Sequence, residues 1–143
     1  MKIAQVLKLK GSTHVETAAA RMSVAEIASL LAGKGIGALV VTSSSGTIAG
    51  IVSERDVVRH IGSEGAKALS KPVDAVMTPR VEACTPDDEA INVLQRMTNG
   101  RFRHVPVMAN GELAGLLSIG DVVKARIDEL NAENEAMATM LSG

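Results

Sequence analysis

Apolar residues recur at helical spacing in Val24, Ile27, Ala28 and Leu31, and the run is closed by Gly33 and Gly35. Ser23 followed three residues later by Glu26 has the form of a capping box, so the pattern predicts a helix over 23–32. The period then changes. Ala38 to Thr42 is a short β-branched run, Ser43 to Gly46 a turn and Thr47 to Val52 a second run, which together predict a hairpin before a helix that opens at Asp56 and runs to Ile61. The same order returns: Asp87 to Thr98 helical, Asn99-Gly100 a stop, Phe102 to Met108 a strand, Asn110-Gly111 a tight turn, Leu113 to Leu117 a strand, and a helix from Asp121 onward. The second hairpin turn is one residue shorter, so the offset between copies falls from 66 before it to 65 after it. Ile3 to Leu7 and Val73 to Met77 match loosely as short helical lead-ins, and Gly62 to Pro72, rich in Gly, Ser and Ala, reads as a connection. The expected organisation is a first motif over 1–64 with its lead-in helix, a linker over 65–72, and a second motif over 73–143 with an extended C-terminal helix.

The sharpest part of the repeat is Gly50-Ile51-Val52-Ser53-Glu54-Arg55-Asp56-Val57-Val58 against Gly115-Leu116-Leu117-Ser118-Ile119-Gly120-Asp121-Val122-Val123. Each copy places a serine and, three residues on, an aspartate where a buried strand meets an apolar helix. Two readings fit. Such a pair caps free amides at a helix N-terminus. A carboxylate at this corner also suits the vicinal hydroxyls of a ribose, while the helix N-terminus favours a nearby phosphate. Positive charge differs between the copies. The first has Arg55 where the second has Gly120, whereas the second has Arg101, Arg103 and His104 where the first has Gly35, Gly37 and Ala38. From the residues alone Arg55, Arg101 and Arg103 read as solvated side chains paired with Glu54 or Glu112, although an arginine's planar donor fork also suits an anion.

A chain of 143 residues suits one domain, or two small halves sharing a core, because a 65-residue unit alone buries little surface. The formal charge of −1 provides no global basic field for nucleic acid or an anionic membrane. The hydrophobic content of 46% is aliphatic, with one Phe and no Tyr or Trp, so a bound base would lie between aliphatic side chains. The single cysteine, Cys84, excludes an intramolecular disulfide framework and points to a reducing cytosol. No apolar run reaches about 18 residues and the first residues are too polar for a signal peptide, which predicts a soluble cytoplasmic protein.

With the repeat, the hairpin order and the Gly-x-x-Ser-x-x-Asp corners in place, nearly the whole chain resembles a tandem pair of cystathionine-β-synthase (CBS) domains. The stretches Gly46 to Asp56, Asn110 to Asp121, Arg103-His104-Val105-Pro106-Val107 and Val73 to Thr78 carry the resemblance. It implies an α/β (α+β) fold of two β-α-β-β-α motifs packed as one pseudo-twofold module, with modules pairing into a homodimer. It also implies clefts between motifs that take adenosine compounds: AMP, ADP or ATP, NAD(H) or S-adenosylmethionine. Carried over residue by residue, Asp56 and Asp121 would hold ribose, with Ser53 and Ser118 beside them. Arg103 and His104 would line the central cleft. Ala38, Leu39 and Val40 in one motif and His104, Val105 and Pro106 in the other would flank adenine. Thr17 stands where many relatives have a ligand-contacting threonine, and its counterpart Ala83 departs from that pattern.

Catalysis has little support in the residues. No local motif sets a base and an orienting acid around Cys84, His14, His60 and His104 lack metal-ligand spacing, and no phosphate-binding glycine loop is present. The expected function is therefore non-catalytic: a nucleotide sensor that changes dimer shape, without catalytic cofactor or metal. The rival is an interaction adaptor acting on a transporter or enzyme without nucleotide. The stripe Val122, Val123, Ile127, Leu130, Met137 and Leu141 on the last helix fits either a second copy or packing on its own domain.

Overall fold

Strands form where β-branched and aliphatic residues run between turn residues, and two hairpins result in a computed structural model that describes residues 1–11, 14–79 and 81–142. The elements are α1 (Ile3–Lys10), β1 (Thr17–Ala19), α2 (Val24–Lys34), β2 (Ala38–Thr42), β3 (Ile48–Ser53), α3 (Glu54–Glu64), α4 (Ala90–Gly100), β4 (His104–Ala109), β5 (Glu112–Ser118) and α5 (Ile119–Ser142), with short 3-10 turns at Gly65–Ser70 and Val73–Ala75. The mixed helix and strand content and the repeated order agree with the expected fold class.

Packing divides the chain into two units, Val15–Val81 and Met1–His14 with Glu82–Gly143. This division cuts across the sequential ranges 1–64 and 73–143, because each lead-in packs with the other repeat. The backbone shows why. Ile3 N–H donates to Asp88 O at 2.9 Å and Ala4 N–H to Pro86 O at 3.0 Å, while Val73 N–H donates to Met22 O at 2.7 Å and Asp74 N–H to Ala20 O at 3.2 Å. The same bonds are thus made twice, each time onto the helix entry of the other copy. In α1 the side chains of Ile3 and Val6 are fully buried, each contributing about 1.5–3 kcal/mol. The expected linker also packs: Ala68 is buried within it, and Lys71 O accepts from Val24 N–H at 2.9 Å.

In the Val15–Val81 unit, β1 lies parallel to β2, which is antiparallel to β3. Ala18, Val24, Ile27, Leu31, Leu39, Val41, Val52 and Val57 form its core. Ser23 caps α2 by accepting from Glu26 N–H, and Gly35 ends it in the left-handed region at φ 62°. In the other unit β4 and β5 are antiparallel, and the Asn110-Gly111 turn has φ values of 54° and 79°, the twist a two-residue hairpin requires. Its core joins Ile3, Val6, Cys84, Val93, Met97, Val105, Val107, Leu117 and Val122.

The first strand of the second motif departs from the expected β-α-β-β-α pattern. It is reduced to a single parallel bridge between Cys84 and Val107. Thr85 spends its amide on Asp88 Oδ2 at 2.9 Å and Pro86 has no amide, so the ladder has no donors beyond Cys84. The same turn explains why α4 begins at Ala90 and not at Asp87.

Each β3 or β5 strand is crossed closely by a lead-in at a glycine. A Cβ on Gly50 would stand 2.5 Å from Thr78 O and 2.8 Å from Met77 Sδ, and one on Gly115 would stand 2.5 Å from a Leu7 methyl. Thr78 is itself bound on both sides to Ile51, at 2.8 and 3.0 Å, and cannot retreat cheaply. Gly50→Val is expected to destabilise by about 1–3 kcal/mol in urea unfolding. Gly62→Ala, in α3 with open space around it, should instead stabilise by up to about 1 kcal/mol.

Candidate functional site

β3 ends at Ser53 and α3 starts at the next residue, so the chain changes from extended to helical at one corner. Ser53 has φ −118° and ψ 165°, and its hydroxyl accepts from Asp56 N–H at 3.2 Å. Asp56 Oδ2 in turn accepts from Ser53 N–H at 2.9 Å and from Ser53 Oγ at 3.1 Å. This reciprocal box uses a buried carboxylate to satisfy amides that the helix leaves open. Glu54 N–H also donates to Gly37 O at 3.0 Å, which ties the corner to the residue before β2.

The second corner repeats the construction. Asp121 N–H donates to Ser118 Oγ at 3.1 Å, Asp121 Oδ2 accepts from Ser118 N–H at 2.9 Å, and Ile119 N–H donates to Arg103 O at 2.7 Å. One further group enters: Lys10 Nζ, from the last turn of α1, lies 3.0 Å from Asp121 Oδ2 and 2.7 Å from Leu116 O. Partial burial pushes the Asp121 carboxyl up, but the Ser118 amide and the Lys10 ammonium outweigh it and hold the group below its ordinary value of 3.8.

The strand register gathers the other expected residues around these corners. Ala38 faces Ser53, Leu39 faces Val52 and Val40 faces Ile51, while exposed Thr17 pairs with Val40 from the parallel side. In the other unit His104 faces Ser118, Val105 faces Leu117 and Pro106 faces Leu116. Leu39, Val40 and Val105 are fully buried, so they contribute core packing and strand backbone more than accessible side chain. Arg55 and Arg103 are exposed, and Arg101 ends α4 in the left-handed region at φ 56°. Lys10 was not among the residues singled out from the sequence. It is 111 positions from Asp121, and no local motif links the two.

The profile of the CBS domain matches residues 6–63 and again 73–128. The chain belongs to the CBS-domain family. A CBS-domain containing protein from Agrobacterium tumefaciens is 42% identical and superimposes with a TM-score of 0.84, covering 88% of this chain and 99% of that one. A mitochondrial CBS domain-containing protein from Arabidopsis thaliana is 35% identical over 112 residues, 76% of this chain but 54% of that longer protein. A CBS domain protein from Pyrobaculum aerophilum complexed with AMP is 25% identical with a TM-score of 0.74, covering 85% of this chain and 89% of that one. A further CBS domain pair, in complex with 5′-methylthioadenosine and S-adenosyl-L-methionine, shares the fold at a TM-score of 0.78 and 20% identity.

Among the described residues no group of three or more His, Cys, Asp or Glu is placed to hold a metal ion, and no helix is long and apolar enough to cross a membrane. Burial pushes the Cys84 thiol up to about 11, with Asp88 adding to the rise and Arg96 opposing it. At pH 8 Cys84 is therefore expected to resist a maleimide in the folded protein and to react once urea unfolds it; rapid labelling without urea would contradict the buried placement.

The depressed carboxyl of Asp121 also sets a sign for stability against pH. A carboxyl lowered by folding contributes fully above its unfolded value and loses that contribution as pH falls through the folded one. The advantage of the native chain over Asp121→Asn should accordingly be largest near neutral pH and shrink as pH falls below about 4, as measured by denaturant midpoints across that range.

Proposed function

We propose that this CBS pair is a regulatory module that binds an adenosine compound at its Ser53–Asp56 and Ser118–Asp121 corners and carries out no chemistry on it. The observation that carries the reading is the doubled corner. In each copy a carboxylate is fixed at a helix N-terminus, beside a strand whose aliphatic residues are already packed. Such a carboxylate is pre-oriented, so a diol that binds to it incurs little ordering cost. The AMP complex of the Pyrobaculum relative supports an adenosine ligand, and AMP or ATP comes first in this reading, with NAD(H) and S-adenosylmethionine next. Thr17, Ala38, Leu39 and Val40 would flank the ligand at one corner, with His104, Val105 and Pro106 at the other. Arg55 and Arg103 are proposed phosphate contacts, since an exposed guanidinium reaches an anion at little desolvation cost.

Regulation requires that the ligand bind one shape of the protein better than another, because equal affinity for two states shifts nothing. The second copy that such a change would involve has a surface available on α5. Ile127, Leu130, Met137, Met140 and Leu141 are exposed there, and a homodimer that covers them is part of the proposal. The same exposed stripe favours the adaptor as a second reading, with a target protein in place of a second copy.

A thermal-shift titration with AMP, ADP, ATP, NAD, NADH and S-adenosylmethionine tests the ligand. At about 100 times its Kd a ligand adds roughly 2.7 kcal/mol of stability. A selective rise in Tm, reduced by Asp56→Ala or Asp121→Ala in chains that still fold, is the expected result. No rise with any of the six would leave the adaptor as the better account.

A further inference from the structure

The ion pair between Lys10 and Asp121 joins α1 to the entry of α5, and the fold holds its lysine in place. Ile3 and Val6 anchor α1 in the core, and Leu7 lies against Gly115, so the last turn of α1 is fixed over β5. From there the ammonium reaches two acceptors, Leu116 O at 2.7 Å and Asp121 Oδ2 at 3.0 Å. The side chains of Lys10 and Asp121 are 34% and 26% exposed, partly withdrawn from water without being sealed from it. Asp121 Oδ2 thus accepts from an ammonium as well as from Ser118 N–H, and the carboxylate is electrically balanced before any ligand arrives.

This arrangement treats two kinds of adenosine ligand differently. An uncharged nucleoside must share the carboxylate with an ammonium, and its hydroxyls make weaker hydrogen bonds to an anion already paired with a cation. A phosphorylated nucleotide meets no net negative charge at the corner. Its phosphate gains a cation within reach, at the positive end of the α5 dipole. We propose that Lys10 sets the ligand preference of the Asp121 corner, favouring a phosphorylated adenosine compound over the uncharged nucleoside. The inference rests on the nucleotide-binding reading above and adds to it a residue and a direction of specificity.

The test is calorimetric titration of the full chain with AMP and with adenosine, at one salt concentration. It is done for the native chain, Lys10→Met and Lys10→Arg, each also in an Asp56→Asn background that leaves the Asp121 corner as the intact one. Lys10→Met should weaken AMP, tighten adenosine and so reduce the preference for AMP roughly tenfold or more, a change of about 1.4 kcal/mol per factor of ten. Lys10→Arg should keep the native preference. An unchanged ratio of the two affinities in Lys10→Met, or an equal loss of both ligands, overturns the role of Lys10 while leaving nucleotide binding intact. If the native chain binds neither ligand, the nucleotide reading itself falls and the role of Lys10 falls with it. Should Lys10→Met fail to fold, Lys10→Gln carries the same comparison, since its amide can still donate to Leu116 O.

Discussion

The reciprocal cap between a serine and the aspartate three residues on is the interaction from which both candidate corners follow. A helix that begins immediately after a strand leaves its first amides open, and at this corner they lie against the core. Ser53 with Asp56, and Ser118 with Asp121, answer those amides at 2.9–3.2 Å. A cap of this kind is worth about 1 kcal/mol. Its geometric effect is greater than its energy, because it fixes a carboxylate at the positive end of a helix dipole without a dedicated scaffold. Capping and ligand contact, which compete as explanations in the sequence, are compatible in the structure: Asp56 uses Oδ2 for the cap, and a carboxylate has a second oxygen with which to accept.

Exchange of the lead-ins depends on the same corners. Thr78 and Leu7 cross the strands that feed α3 and α5, and they cross at glycines, the one residue type that admits backbone or side chain so close. The glycine three residues before each serine in the Gly-x-x-Ser-x-x-Asp pattern is therefore a packing requirement within its strand. Because α1 crosses at Gly115, its last turn overlies the second corner, and Lys10 meets Asp121 as a consequence of how the core closes.

Much of this was legible in the sequence because it is local. The period change from helix to strand, the Asn110-Gly111 turn and the capping boxes all lie within a few residues of one another, and a 65-residue repeat lets each copy check the other. Features that depend on distant partners were not legible. Nothing near Ile3 indicates that its amide will find Asp88 O, so the lead-in reads as part of the first motif although it packs with the second. The shrinkage of the second motif's first strand to one bridge turns on Thr85 and Pro86, whose roles as spent and missing donors appear only once Val107 lies alongside Cys84. The candidate corners were found because serine and aspartate are three residues apart; Lys10 was missed because it is 111 residues away.

The internal repeat supplies two copies of one corner and leaves the surroundings free to differ. The caps are held constant by the backbone amides they must satisfy, so Ser53 and Ser118, or Asp56 and Asp121, change little without cost to folding. Residues around them carry no such obligation. Arg55 stands where Gly120 does in the other copy, Arg103 where Gly37 does, and Thr17 where Ala83 does. Chemical difference between the corners therefore resides in the residues that approach each cap from outside, whether from the helix that follows it, the strand beside it or the lead-in that crosses it. A duplicated fold acquires unequal sites most cheaply in this way, since each such change alters charge or reach at one corner and leaves the capped aspartate where it was.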